Sequence, residues 1–289
     1  MVEVTPSVSA GDLRVGIEGE LERVLSRLDA SPLGAVCRYA VFPGGKRIRP
    51  LLALSWCADL GGDPARILPA AAALELLHCA SLIHDDLPAL DNDDFRRGRP
   101  SCHRAFGEAQ AVLAGDALFS VALDCAGDVA LDSRHQLGVV RALGKAYTDL
   151  CIGQALDLEK PPGRTSLTTI HRYKTGALFA ACFEVGAIGA GGDQRVVAES
   201  ATLGRAVGLA FQIADDFLDF HGTDAARGRP GSSDARNGKT NFFSAGNTSV
   251  ESVFRTSQRE IGTLLRSIAP HGASRVSPLI AAALSPVTV

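Results

Sequence analysis

The sequence predicts an all-α protein, and three observations lead there. Alanine, the strongest helix former, makes up about one residue in seven. Alternating runs of β-branched and aromatic residues between turn clusters, the signature of strands, are almost absent. Long stretches instead repeat apolar residues at the spacing of a single helix face. Ile17 to Leu28 sets Ile17, Leu21, Val24, Leu25 and Leu28 along one stripe. Pro69 suits a helix start, where a missing N–H costs nothing, and Ala70 to Ile83 then runs almost wholly apolar, as a helix buried on most sides does. Leu113 to Leu123, Ser200 to Phe220 and Val250 to Ile268 repeat the habit. Gly61-Gly62, Pro161-Pro162-Gly163, Gly191-Gly192 and the polar stretch Gly222 to Gly238, expected as a mobile loop, punctuate the helices. The sum is one all-α domain, residues 1–289, of about ten helices.

Composition narrows the function. The chain has 289 residues, 46% hydrophobic, 21% charged and 6% aromatic, with a net charge of −3. By length alone one large domain fits as well as two. The near-neutral balance excludes a nucleic-acid binder, which would show a basic face or tail. No apolar run reaches the ~18 residues of a membrane span, and Met1 to Gly11 lacks a basic and apolar signal pattern. Seven cysteines, an odd number without a C-x-x-C pair, read as reduced thiols and hence a cytoplasmic protein, with neither disulfides nor a zinc site.

Two acidic clusters carry the chemistry. Asp85-Asp86-Leu-Pro-Ala-Leu-Asp91, followed by Asn92-Asp93-Asp94, closes the apolar run Leu74 to His84; Asp215-Asp216-Phe-Leu-Asp219 closes Ala206 to Ala214. Carboxylates at a helix C-terminus oppose the macrodipole and repel one another, so they cost stability unless cations bind. Asp215 and Asp219 are one turn apart on a single face, a spacing of hard oxygen ligands that suits magnesium completed by waters and phosphates. Asp91 stands six residues beyond Asp85, off its face in a regular helix; Pro88 removes a backbone donor and is expected to end or bulge the helix so that Asp91 swings back. A single such cluster is usually a solvated helix end; two, each fused to an apolar helix, favour metal. Asp93 and Asp94 read as exposed spectators.

Basic groups complement the acids. Gly44-Gly45-Lys46-Arg47-Ile48-Arg49-Pro50 concentrates three cations after a flexible turn, and Arg96-Arg97-Gly98-Arg99-Pro100 follows the first cluster directly. Arginine offers a planar fork to phosphate oxygens and lysine a point charge. No Gly-rich nucleotide loop is present, Gly238-Lys239-Thr240 being only a fragment of one, so phosphates would be held by metal and side chains.

The run His84 to His103 resembles the first aspartate-rich motif of trans-polyprenyl diphosphate synthases, in the form with two extra residues. Gly44 to Pro50, Phe106-Gly-Glu-Ala, Gly115-Asp-Ala-Leu, Gly153-Gln154 with Asp157, Tyr173-Lys-Thr-Gly-Ala-Leu-Phe179 and Phe211-Gln-Ile-Ala-Asp-Asp-Phe-Leu-Asp219 are similar to further motifs of that family, in its order. The resemblance implies an isoprenoid synthase helical bundle around a central active-site cavity, assembled as a homodimer. It implies condensation of isopentenyl diphosphate with an allylic diphosphate, by ionisation, condensation and elimination, with magnesium, or manganese in its place, as cofactor. Asp85, Asp91 and Asp215 match the family's metal ligands, with Asp86 and Asp219 supporting them, and the resemblance implies that Asp85, Asp86, Asp91, Lys174, Asp215, Asp216 and Asp219 are the catalytic residues. Lys46, Arg49, His78 and Arg97 match residues that hold isopentenyl diphosphate; Arg96, Lys174, Thr175, Gln212 and Lys239 match those that hold the allylic diphosphate. His78, read by itself on an apolar helix, is a core histidine, and Cys79 and Cys102 are packing thiols. The C-terminal part departs from the family: Arg229 stands where lysine is common, Thr240-Asn241-Phe242-Phe243 lacks a proline, and the last 45 residues match little.

Two rival readings fit less well. A terpene cyclase on the same fold would alter the second acidic motif and lack the Lys46 and Arg49 segment. A non-catalytic subunit would lose one acidic motif. Product length is read from Ala80, Ser81 and, one turn deeper, Leu77: where the family's shorter-chain enzymes place an aromatic floor, two small residues stand, which predicts geranylgeranyl diphosphate, with farnesyl diphosphate as the alternative. An aromatic such as Phe119 on a facing helix would supply that floor from across the cavity.

Overall fold

The computed structural model describes residues 9–159, 165–221, 242–243 and 250–285, and among these the chain forms twelve α-helices. They are α1 (Ala10–Leu25), α2 (Pro32–Val41), α3 (Ile48–Asp59), α4 (Leu68–Asp85), α5 (Cys102–Phe106), α6 (Glu108–Ala126), α7 (Ser133–Asp157), α8 (Leu167–Lys174), α9 (Gly176–Gly189), α10 (Gln194–His221), α11 (Val250–Ile268) and α12 (Val276–Leu284). One two-residue hairpin, Phe95–Arg96 against Arg99–Pro100, supplies the only strands among the described residues. The all-α expectation is met, with two more helices than expected. Pro161 to Gly163 and the stretch Gly222 to Gly238 lie outside the described residues.

Local chemistry accounts for the helix ends. A capping box starts α1: Asp12 N–H donates to Ser9 Oγ at 3.2 Å, and Ser9 N–H donates to the Asp12 carboxylate at 3.0 Å. Its buried stripe is Leu13, Ile17, Leu21, Val24 and Leu25, while Leu28 falls on the following 3-10 turn. Pro69 sits in the first turn of α4. Gly61 and Gly191 adopt positive φ (84° and 73°), so the two Gly-Gly pairs do break the chain where the sequence places breaks. Asp59 at the end of α3 accepts from the N–H groups of Arg275 and Val276, at 3.1 and 2.9 Å, and so fixes the start of α12 against the bundle.

The core forms around α4 and α9. Nearly every residue of α9 is buried, and α10 packs against it through small residues: a Cβ on Gly204 would lie 2.4 Å from the Phe179 carbonyl oxygen, and one on Gly208 2.7 Å from Gly176 Cα. Trp56 of α3 is fully buried, edge-on to Phe183, and donates through Nε1 to Ser200 Oγ at 3.0 Å. Helix α6 runs antiparallel to α4. The Cys125 thiol meets the Pro69 carbonyl at one end of the pair, and His84 Nε2 lies 3.1 Å from the Val112 carbonyl at the other.

Two expectations need correction here. The segment Pro64–Asp85 and α6 are each long and apolar enough, by length and composition, to cross a membrane, contrary to the reading that no run reaches that size. The interior position of α4 explains its character: it is enclosed by other helices and needs no polar face. Asp93 is not an exposed spectator but is 3% exposed, with the Arg96 guanidinium 3.5 Å from its carboxylate. Its neighbour Asp94 is half-buried and accepts from Arg104 at 2.5 Å. A buried carboxylate needs such a partner.

Candidate active site

The first acidic cluster hangs from the end of α4. The helix stops at Asp85, three residues before Pro88, and the chain folds back so that Asp91 N–H donates to the Asp85 carbonyl at 2.8 Å and Asn92 N–H to that of Leu87 at 3.0 Å. This closure returns Asp91 to the level of Asp85, as the spacing of six requires. Asp85 and Asp91 are half-buried, whereas Asp86 is 2% exposed. Arg96 grips Asp86 through Nη2 at 2.5 Å and Nε at 3.1 Å. Burial pushes the Asp86 carboxyl above its ordinary range, and the Arg96 guanidinium opposes that push. His84, just before the cluster, fits only because residue 115 is glycine, since a Cβ there would lie 2.1 Å from its Nε2.

The second cluster lies inside the last turns of α10, which continues to His221. Asp215 is exposed, while Asp216 and Asp219 are buried. Asp216 accepts from Gln212 Nε2 at 2.7 Å and from the Phe242 N–H at 3.0 Å; Thr175 Oγ1 donates to Gln212 Oε1 at 2.6 Å. The C-terminal half of α7 links the first cluster to α8: Gln154 Nε2 reaches Asp91 at 3.4 Å, and Asp157, three residues on, accepts from Lys174 Nζ at 2.8 Å.

A cavity of about 260 Å³ joins the second cluster to the basic segments. Lys46, Arg49, His78 and Arg97 all line it, together with Asp215, Phe211 and Ala283. Arg97 takes a left-handed backbone (φ 54°) that turns it there from the hairpin. The Nε of Arg49 is buried without a hydrogen-bond partner, and the guanidinium lies 5.0 Å from the Phe179 ring centroid. An orphaned buried donor among cations is a site prepared for an anion. Burial, then the charges of Arg49 and Arg97, hold His78 well below its ordinary pKa, so it faces the cavity as a neutral imidazole.

The remaining expected residues divide clearly. Ala80, Ser81 and Leu77 are all buried in α4. Phe119, one turn along α6 from Gly115, stacks against Tyr147 with ring centroids 4.6 Å apart. Lys239, Arg229, Thr240 and Asn241 lie outside the described residues. Arg47, in the same basic run, points inward: it is 1% exposed and donates to Glu18, Glu75 and the Val41 carbonyl. Glu75 was missed by sequence reasoning. It bonds Arg47 at 2.7 Å and lies 3.8 Å from Arg97, and its one signal was a lone carboxylate three residues before His78 in an apolar helix. Ala283 was missed as well, because the last residues carry no motif.

Comparison with known proteins follows the same lines. The polyprenyl synthetase family description matches residues 31–260. The chain belongs to the polyprenyl synthetase family. A farnesyl diphosphate synthase of Geobacillus stearothermophilus is 39% identical over 251 residues, covering 84% of each chain. A geranylgeranyl diphosphate synthase of Rhodobacter capsulatus is 44% identical over 234 residues, covering 78% of this chain and 79% of its own. Among solved structures, a geranyltranstransferase of Thermotoga maritima superposes with a TM-score of 0.77 at 32% identity, over 94% of this chain and 96% of that one. A geranyltransferase of Helicobacter pylori, solved with magnesium and isoprenyl diphosphate, superposes with a TM-score of 0.75 at 28% identity, over 96% of this chain and 97% of that one. The expected isoprenoid synthase fold and the prenyltransferase class are both borne out.

Proposed function

We propose that this synthase condenses isopentenyl diphosphate with an allylic diphosphate and releases geranylgeranyl diphosphate. The observation that carries the reading is the shared cavity: Asp215 of the second acidic cluster opens into the space lined by Lys46, Arg49, His78 and Arg97. Asp85, Asp91 and Asp215 would hold magnesium. Their carboxylates are hard oxygen donors, and waters and phosphate oxygens of the substrate would complete the coordination. A metal held there would neutralise charge on the diphosphate leaving group.

The chain's own residues supply the rest. Lys46, Arg49 and Arg97 bind the diphosphate of isopentenyl diphosphate, with His78 beside them as a neutral donor. Lys174 and Thr175 orient the allylic diphosphate, and Gln212 and Asp157 hold those two in place. Arg96 keeps its hairpin, and therefore Arg97, docked on Asp86. Phe211 and Leu218 give the cavity apolar wall, which excludes the water that would quench an allylic cation. The C–O bond of the allylic diphosphate breaks, the alkene of isopentenyl diphosphate attacks the cation, and the proton lost in the elimination passes to the departing diphosphate.

Ala80 and Ser81 leave the chain channel without a floor on α4, which favours the twenty-carbon product. The Phe119–Tyr147 pair favours farnesyl diphosphate instead: α4 and α6 are antiparallel and His84 meets Gly115, so Phe119 stands at about the level of Ala80, one turn away on each helix. Incubation with labelled isopentenyl diphosphate, farnesyl diphosphate and Mg²⁺ separates the two. A twenty-carbon diphosphate is expected, and the Ala80→Phe variant should stop at fifteen carbons. A wild-type product no longer than fifteen carbons would reject the assignment.

The chain acts, in this proposal, as one domain, a cytoplasmic homodimer. Its seven thiols form no disulfide, six of them being buried, which suits a reducing compartment. Helix α6 leaves Val112 and Leu113 exposed, and α7 leaves Ile152 exposed, an apolar face suited to a second copy. Leu113→Asp should convert the dimer to monomer by light scattering; a wild type that is monomeric at micromolar concentration would contradict the assembly.

A further inference from the structure

The two aspartates that open each acidic cluster are not equivalent. Neighbouring residues on a helix point about 100° apart, so Asp215 and Asp216 face different surroundings. Asp215 opens into it, while Asp216 turns inward to 3% exposure. Both oxygens of Asp216 are engaged: Oδ1 by Gln212 Nε2 at 2.7 Å, Oδ2 by the Phe242 N–H at 3.0 Å, with His171 Nε2 3.9 Å from Oδ2. The His171 ring lies against Phe242, centroids 5.1 Å apart. The first cluster repeats the division, with Asp85 half-buried and Asp86 at 2% exposure in the grip of Arg96.

We propose that Asp216 is a positioning residue, which ties the second acidic cluster to the backbone at Phe242 and, through Gln212, to Thr175. This rests on the metal-assisted diphosphate chemistry proposed above and goes beyond it. Asp216 is 3% exposed and could reach a cation in the cavity only by rotating outward, which would leave the Phe242 N–H and the Gln212 amide unmet. The Thr175 hydroxyl has a single proton, which it gives to Gln212 Oε1 at 2.6 Å. To offer that proton to a phosphate oxygen, Thr175 must release Gln212. Arrival of the allylic diphosphate is thereby felt at Gln212, at Asp216 and at the backbone of residue 242. Asp216 governs affinity for the allylic substrate, and Asp215 governs affinity for metal.

The test compares Asp216→Asn, which keeps the size of the side chain, with Asp215→Asn. Steady-state kinetics would be run against Mg²⁺, the allylic diphosphate and isopentenyl diphosphate in turn. Asp215→Asn should raise the Mg²⁺ concentration for half-maximal rate by about tenfold or more. Asp216→Asn should leave it within about twofold while raising KM for the allylic diphosphate by about tenfold, with KM for isopentenyl diphosphate unchanged. Phe242→Pro removes the same hydrogen bond from the donor side, together with the buried ring but without changing a residue of either acidic cluster, and should reproduce the Asp216→Asn pattern. Calorimetry of Mg²⁺ with inorganic diphosphate reads the distinction without turnover: the Asp216→Asn protein should bind as the wild type does, and the Asp215→Asn protein weakly. An Asp216→Asn enzyme that shifts its Mg²⁺ requirement as Asp215→Asn does, or that keeps wild-type values throughout, would overturn the proposal. Absence of prenyl transfer by the wild type would instead refute the functional reading and leave the calorimetric comparison to decide this one.

Discussion

Two arginines two residues apart show how position in the fold assigns a charge its work. Arg47 spends its donors on Glu18, Glu75 and the Val41 carbonyl and belongs to the scaffold, whereas Arg49 keeps a buried Nε unmatched on the cavity. Arg49→Ala should therefore raise KM for isopentenyl diphosphate about tenfold or more and leave KM for the allylic substrate near its wild-type value. Equal changes in both constants would mean that Arg49 acts on the fold. His78 carries a pH signature. Its folded-state pKa lies well below 6.5 because of burial and the surrounding guanidinium groups, so below that pH the unfolded chain takes up a proton that the folded chain refuses. Its contribution to stability is thus intact above about pH 6.5 and is lost as pH falls from there toward the folded pKa. Urea midpoints at neutral and mildly acidic pH should separate less for His78→Gln than for wild type; an unchanged separation would contradict a neutral buried His78. At this scale the charged runs were readable, because adjacent carboxylates and adjacent cations stand out in any order. Glu75 was not, because its meaning depends on Arg47 and Arg97, which the chain brings to it from distant segments.

Helices supply what single residues cannot: the approach of one backbone to another. A Cβ on Gly153 would stand 2.2 Å from the Lys174 backbone nitrogen and 2.6 Å from Lys174 Cα, so α7 and the end of α8 touch only because residue 153 has no side chain. Gly153→Ala must push Lys174 away from Asp157, and overpacking of this kind costs about 1–3 kcal/mol. Thermal unfolding should show that loss, accompanied by weaker binding of the allylic substrate; a variant with wild-type stability would mean that the two helices have slack. The apolar periodicity made α1, α4 and α11 legible, and Val250 to Ile268 coincides with α11 end for end. The return of Asp91 over Asp85 was legible in outline from Pro88, yet the helix stops at Asp85, where backbone bonds from Asp91 and Asn92 close the turn. Patterning reports which face is apolar; it does not report what covers that face, which is why length and composition alone do not tell buried α4 from a membrane span.

At the scale of the molecule the bundle acts as a clamp on charge. Its acidic residues come from α4 and α10, and its basic residues from the start of α3, from α4 and from the hairpin after Asp94; the shared cavity brings Asp215 and the cations together. The ordered motifs made this arrangement legible as a family resemblance, while the contribution of α12 through Ala283 was hidden, since its place follows from Asp59 capping and not from any motif of its own. The central claim is that prenyl transfer depends on both acidic clusters through metal-bound diphosphate. Pre-steady-state rates of prenyl transfer in saturating Mg²⁺, measured for the wild type, Asp85→Ala and Asp215→Ala, test it most directly. Each substitution should slow the chemical step by about a thousandfold or more, which corresponds to roughly 4 kcal/mol in the barrier, with melting temperature little changed, and EDTA should abolish wild-type turnover. Near-wild-type rates in either variant, or full turnover in EDTA, would contradict the account.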